Sequence, residues 1–265
     1  MDDRQLDLFA PRPAEKPADN AAPRRRSCDP ALLTDEELVR ALPGEGLQDR
    51  VALAAEAGRR RLKAAVPGLR SLCRYFAAWG VDAPVPEQVA ALDALARIGG
   101  AQAASAVVES IVKAEIIGAT LGPAVAAAAA LGATFPEEKS LQLLRHADPA
   151  LRADACRCTK PSPAVIATLI ELLDDLHPSI HRAAACALGR MGRVEARRPL
   201  VLLLDQAPDA EIVEAIGRVA DAECLIRLRR TAEYCPSLID DVIDALEMSD
   251  DPRAAALAEQ LTAPA

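Results

Sequence analysis

Two stretches decide the fold: Asp148-Pro149-Ala150-Leu151-Arg152 and Ala187-Leu188-Gly189-Arg190-Met191-Gly192. The first recurs 29 residues on as His177-Pro178-Ser179-Ile180-His181, and the second 28 residues on as Ala215-Ile216-Gly217-Arg218-Val219-Ala220. Further copies of the second start at Ala94-Leu95-Ala96-Arg97-Ile98-Gly99, at Ala130-Leu131-Gly132 and at Ala245-Leu246. A copy over Val51 to Leu72 sets Gly58 under Gly189 and Leu69 under Leu200, and Val107 also falls under Leu200. Seven units of about 30 residues fill the chain after residue 47, and a fixed period of this length signals stacked supersecondary units.

Within a unit the apolar spacing is helical. Val165, Ile166, Leu169, Ile170, Leu172 and Leu173 recur at three and four, as do Ile180, Ala184, Ala187 and Leu188 before Gly189. Each unit therefore reads as two helices joined by a Gly- or Pro-containing turn. One hairpin cannot cover its own apolar face, whereas stacked neighbours can, with Ala and Gly allowing close approach. The expected architecture is all-α: a right-handed α-solenoid of about seven helical hairpins. Two departures stand out: Thr159-Lys160-Pro161 should end a first helix early, and Gly80 to Pro86 reads as an insertion.

Composition agrees. Of 265 residues 51% are apolar but 2% aromatic, so the core is built from Ala, Leu, Val and Ile, which suits helices better than strands. No apolar run reaches the ~18 residues of a membrane-spanning helix. The start Met1-Asp2-Asp3-Arg4 has no export-signal character, which predicts a cytoplasmic protein with no membrane association. The seven cysteines include no C-x-x-C pair and read as small core residues, with no cofactor or metal expected.

The phrase Asp-Pro-x-Leu-Arg-x-x-Ala followed by Ala-Leu-Gly-Arg-x-Gly-x-x-x-Ala-x-x-x-Leu-x-x-Leu-Leu, read across residues 148 to 204, resembles the short HEAT repeats of bacterial proteins akin to phycobilisome lyases. The resemblance implies an interaction scaffold and no enzyme. It also raises enzyme families of similar fold. Deoxyhypusine hydroxylases hold two irons through His-Glu pairs, but His146, His177 and His181 are followed by Ala, Pro and Arg. Alkylpurine glycosylases use an aromatic cleft, whereas here only Tyr75, Phe76 and Trp79 cluster. The same poverty in aromatics argues against a tetrapyrrole cleft.

Charge is uneven. The formal net charge is -8, with -9 in residues 201–265 and +5 in residues 47–80. The acidic end repels phosphate, so direct nucleic-acid binding by the whole molecule is not expected. One local group combines cations and aromatics: Arg59, Arg60, Arg61, Lys63, Arg70, Arg74, Tyr75 and Trp79 form a candidate patch for nucleic acid or an acidic partner. Its alternative reading is a solvated terminal cap. A second group, Arg190, Arg193, Arg197, Arg198, Arg218, Arg227, Arg229 and Arg230, reads as a ladder paired with neighbouring carboxylates, the alternative being a ridge for an acidic partner.

Ahead of the array, residues 1–30 hold five prolines and no periodicity, and read as a disordered tail; 31–46 reads as a short leading helix opened by the capping box Thr34-Asp35-Glu36-Glu37, and 47–265 as the solenoid. In the tail, Gln5-Leu6-Asp7-Leu8-Phe9 sets three large apolar residues among polar ones. The string resembles the pentapeptide by which bacterial replication and repair proteins hold the DNA polymerase sliding clamp. That resemblance implies that Leu8 and Phe9 fill the clamp's apolar pocket, Gln5 hydrogen-bonds beside it and Leu6 adds contact. The alternative is that the segment folds back over the first helices. The sequence thus predicts a scaffold with a protein partner on its surface, tethered to the clamp in a replication or repair role; a DNA-binding module using the first unit, or an assembly scaffold unrelated to DNA, are the alternatives. A polar last unit predicts a monomer.

Overall fold

The computed structural model describes residues 29–42, 47–77, 79 and 81–262. The tail reading and Gln5 to Phe9 fall outside these residues. Among them there are fifteen α-helices and no strand. α1 (Asp35–Ala41) leads the array, and its capping box forms: the Glu37 amide donates to Thr34 Oγ1 at 3.3 Å and the Thr34 amide to Glu37 Oε2 at 2.9 Å.

Seven hairpins follow: α2 (Leu47–Arg59) with α3 (Val66–Tyr75), α4 (Pro86–Ile98) with α5 (Gly100–Val112), α6 (Leu121–Ala130) with α7 (Glu137–Leu144), α8 (Pro149–Arg157) with α9 (Pro163–Glu171), α10 (Pro178–Arg190) with α11 (Arg197–Gln206), α12 (Ala210–Gly217) with α13 (Ala222–Tyr234), and α14 (Ile239–Glu247) with α15 (Pro252–Thr262). The first helices pack in sequence, α2 on α4, α4 on α6 and so on to α14. They make one layer and the second helices the other, as in an α-solenoid. The early break holds: α8 stops at Arg157, and Asp148 and Ser162 cap α8 and α9 through Ala150 N (2.9 Å) and Val165 N (3.3 Å).

Small residues set the spacing within the first layer. A Cβ on Gly189 would lie 2.7 Å from the Ala215 carbonyl oxygen, and one on Gly58 would lie 2.7 Å from Ala94 Cα, so neighbouring helices approach nearly backbone to backbone. Ala94 and Ala215 are equivalent positions by the repeat, so one contact recurs along the stack. The core that results is continuous, with Leu69, Leu92, Val107, Leu169, Leu188, Leu200 and Leu228 all buried.

One register differs from the sequence reading. Aligning Ala130-Leu131-Gly132 on Ala187-Leu188-Gly189 makes Gly132 a close-approach glycine, but Gly132 has φ +62° and sits just past α6 with open space around it, as Gly192 (φ +69°) does past α10. The correct offset is 60 residues, because the shared feature is a left-handed turn that ends the first helix and not a tight helix contact. Arg61 occupies the same turn after α2 with φ +53°.

Candidate functional site

The candidate patch is divided by the fold. α3 is amphipathic: Val66, Leu69, Leu72 and Cys73 are buried, which turns Arg70, Ser71, Arg74 and Tyr75 outward. α5 lies alongside and presents Gln102, Ser105 and Glu109 between its buried Ala106 and Val107. Together they wall a groove of about 330 Å³. Arg70 bridges it to Glu109 at 2.7 Å, and Glu109 also accepts from Lys113 Nζ at 3.0 Å. Lys113, Arg70 and Ser105 hold the Glu109 carboxyl below its usual range despite some desolvation. Arg74 is exposed and makes no ion pair among the described residues.

At the C-terminal end of α3, Tyr75 and Trp79 are 68% and 64% exposed. Phe76, read from sequence as part of the same cluster, is instead buried beneath them, in edge contact with Tyr75 (centroids 5.0 Å) and Trp79 (5.8 Å). It anchors two rings that face solvent. The Arg50 guanidinium of α2 lies 4.5 Å from the Tyr75 centroid, a cation–π contact. Arg50, Gln102, Ser105 and Glu109 went unnoticed in the sequence. The repeat alignment held the clue for α5: Leu69 and Val107 both fall under Leu200, which places residues 105–109 beside 67–71.

The remaining cations of the patch lie elsewhere, at the end of α2. Arg60 is a structural residue: its guanidinium donates to Glu56 (2.6 Å), to Asp35 (2.9 Å) and to the carbonyls of Leu33 (2.7 Å), Ala31 (3.0 Å) and Pro30 (3.2 Å). It ties the leading segment to the array. Arg59 donates to the same Glu56 carboxylate at 2.7 Å, and the two arginines push the Glu56 pKa down to about 2. Arg61 and Lys63 are exposed beside α1. The patch is therefore two surfaces, a face of α3 that carries Arg70, Arg74, Tyr75 and, just past its end, Trp79, and a cationic turn next to α1.

Five of the eight arginines of the ladder pair with carboxylates among the described residues. Glu211 of α12 receives Arg157 of α8 (3.0 Å) and Arg190 of α10 (3.3 Å), with Arg182 at 3.5 Å. Arg197 donates to the Val219 carbonyl (2.8 Å) and meets Asp221 (3.2 Å); Arg227 pairs with Asp205, Arg229 with Glu233 at 3.0 Å, and Arg193 with Glu195 at 2.9 Å. Arg230 lies 5.5 Å from the Tyr234 ring centroid. Arg198 and Arg218 are exposed.

Among the described residues no three metal-ligating side chains converge. His181 is turned to the Leu173 carbonyl and His177 sits at the N-cap of α10. Burial pushes the thiols of Cys73, Cys156 and Cys158 up to about 12. Such thiols stay protonated and are poor nucleophiles. No described helix is long and apolar enough to cross a membrane.

A family model for HEAT repeats matches residues 137–217, the segment that contains α7 to α12. No curated protein matches the sequence. Solved structures of similar fold include YibA of Escherichia coli (16% identity, 88% of this chain and 93% of that one, TM-score 0.46) and the complex of CpcE and CpcF of phycocyanin lyase from Nostoc sp. PCC 7120 (18%, 95% and 100%, 0.39). A designed armadillo repeat protein in complex with a (KR)4 peptide is a third (17%, 85% and 96%, 0.33). Residues 137–217 are thus HEAT-like in repeat, and the described elements of the array are all helical.

Proposed function

We propose that this chain is a non-enzymatic adaptor: the helical array holds a protein partner, and Gln5 to Phe9 tethers it to the DNA polymerase sliding clamp in replication or repair. The observation that carries the tether is the pentapeptide, which matches the clamp-binding pattern at every position while lying ahead of the array that begins with α1. Leu8 and Phe9 are the apolar anchors, Gln5 the hydrogen-bonding residue, and Leu6 and Asp7 the link between them. The repeat fold supports the adaptor half of the reading, because stacked hairpins offer an extended surface.

Isothermal titration of the full chain against purified clamp tests the tether. Wild type should bind, and Leu8→Ala with Phe9→Ala should lose at least tenfold in affinity. Absence of heat from the wild type would end this reading.

A second reading is favoured by the exposed end of α3, where Tyr75 lines a small hollow with Arg50 and Arg74 and Trp79 is also exposed: these groups suit single-stranded nucleic acid or an acidic peptide. Anisotropy of a fluorescent oligonucleotide at low salt is the check. Salt-sensitive binding abolished by Trp79→Ala would support it, and a flat titration would remove nucleic acid.

A further inference from the structure

Beside α1 the chain forms a second groove, of about 620 Å³, between that helix and the turn after α2. Half-buried Val39 and Leu62, with the exposed Ala64, make its apolar surface; Arg40, Arg61 and Lys63 rim it, together with Asp35 and Glu36. Asp35 is already engaged by Arg60, whereas Arg61 and Lys63 make no ion pair among the described residues. The surface is apolar within and mainly cationic at its rim.

We propose that its occupant is this chain's own segment Gln5 to Phe9, so that the tail docks on the array in an autoinhibited state. Three observations converge on that segment. Its side chains are complementary: Leu6, Leu8 and Phe9 suit Val39, Leu62 and Ala64, and Asp2, Asp3 and Asp7 suit Arg61 and Lys63. Its connector is long enough: residues 10–28, with four prolines, reach between about 25 Å as a flexible coil and about 60 Å fully extended, which covers the span to the groove. The far end of that connector is fixed, because Arg60 holds the carbonyls of Pro30 and Ala31, and Asp29 lies no farther than about 20 Å of extended chain from Asp35. Effective concentration is greatest when a connector's root-mean-square length matches the span it must bridge.

A consequence, which rests on the tether reading, is competition: a clamp must displace the segment from the groove. If nine-tenths of molecules are docked, the apparent clamp affinity is about tenfold weaker than that of the free segment.

Photo-crosslinking in the full chain tests the docking. With Phe9 replaced by benzoylphenylalanine, irradiation of dilute protein should give intramolecular crosslinks that map to Asp35 to Arg40 and Arg61 to Ala64. The double variant Lys63→Glu with Ala64→Glu changes two exposed residues, so it should keep its helicity and melting transition while losing the crosslink at least fivefold. Crosslinks to other parts of the array, to a second copy, or unchanged in the double variant would overturn the proposal. Titration with clamp separates the two readings. Groove crosslinks with no clamp binding sink only the tether, and clamp binding with no groove crosslink sinks only the docking. Where both hold, the double variant should bind clamp about tenfold more tightly than wild type.

Discussion

Gly217 of α12 faces Ala245 of α14 so closely that a Cβ on the glycine would stand 2.5 Å from the Ala245 carbonyl oxygen and 2.9 Å from its Cα. It is the same contact as Gly189 with Ala215 and Gly58 with Ala94, one repeat further along. Alanine is about 1 kcal/mol the better helix former, yet here it must push two backbones apart, and overpacking of this kind costs about 1–3 kcal/mol. Gly217→Ala should therefore destabilise the chain, seen as a lower urea midpoint. An unchanged or raised midpoint would show that the layer can spread freely.

Arg61 holds the left-handed turn that Gly132 and Gly192 hold elsewhere, with φ +53°. A side chain in that region is strained by roughly 1 kcal/mol, and glycine relieves it at some entropic expense. Arg61→Gly is expected to raise stability by about 0.5 kcal/mol, measured by denaturant melting. A clear loss would mean that the arginine makes contacts worth more than its strain.

Glu211 joins three successive hairpins through Arg157, Arg182 and Arg190. Burial alone would raise its pKa, but the pairs with Arg157 and Arg190 outweigh that and leave it lowered. A carboxyl lowered on folding adds stability above its unfolded pKa, and that stability is lost as the pH falls through the folded value. Glu211→Gln should cost about 1–2 kcal/mol at pH 7, and the difference from wild type should shrink steadily as the pH drops below ~4.5.

Glu56 lies at the other end of the array, held near 2 by Arg59 and Arg60. The same sign applies: its contribution is complete above about 4.5 and fades toward pH 2. Because Arg60 also grips Pro30, Ala31 and Leu33, protonation of Glu56 should loosen the leading segment first. Hydrogen exchange of Asp35–Ala41 should quicken at pH 3 relative to the amides of α10, after correction for intrinsic rates. Equal changes in both helices would refute this.

Cys73, Cys156, Cys158, Cys186 and Cys224 are buried, and Cys235 is only half so. Iodoacetamide at pH 8 should modify Cys235 well before these five, which should react only on unfolding. Peptide mapping of a time course decides it.

The helices and their pairing were legible because the repeat is written in large apolar residues and punctuated by Pro and Gly; the early stop of α8, announced by Thr159-Lys160-Pro161, followed the same logic. The third unit slipped by three residues because a glycine at a close approach and a glycine in a left-handed turn are the same letter, and only the backbone separates Gly189 from Gly132. The site was legible in part. Tyr75 and Trp79 stood out as rare residues near cations, but Arg60 reads like Arg59 or Arg61 until α1 is placed over it. Arg50 and Glu109 belong to other helices, and their approach depends on how hairpins stack, which no local pattern records.

The stack is also mechanically lopsided. α2 and α4, α10 and α12, and α12 and α14 meet at glycines with no slack, whereas α3 and α5, and α11 and α13, are linked by arginine side chains of variable reach, Arg70 to Glu109 and Arg227 to Asp205. A link made by a flexible side chain tolerates a change of helix spacing more readily than two backbones already in contact. The groove between α3 and α5 is spanned by such a link, Arg70 to Glu109, and not by a backbone contact.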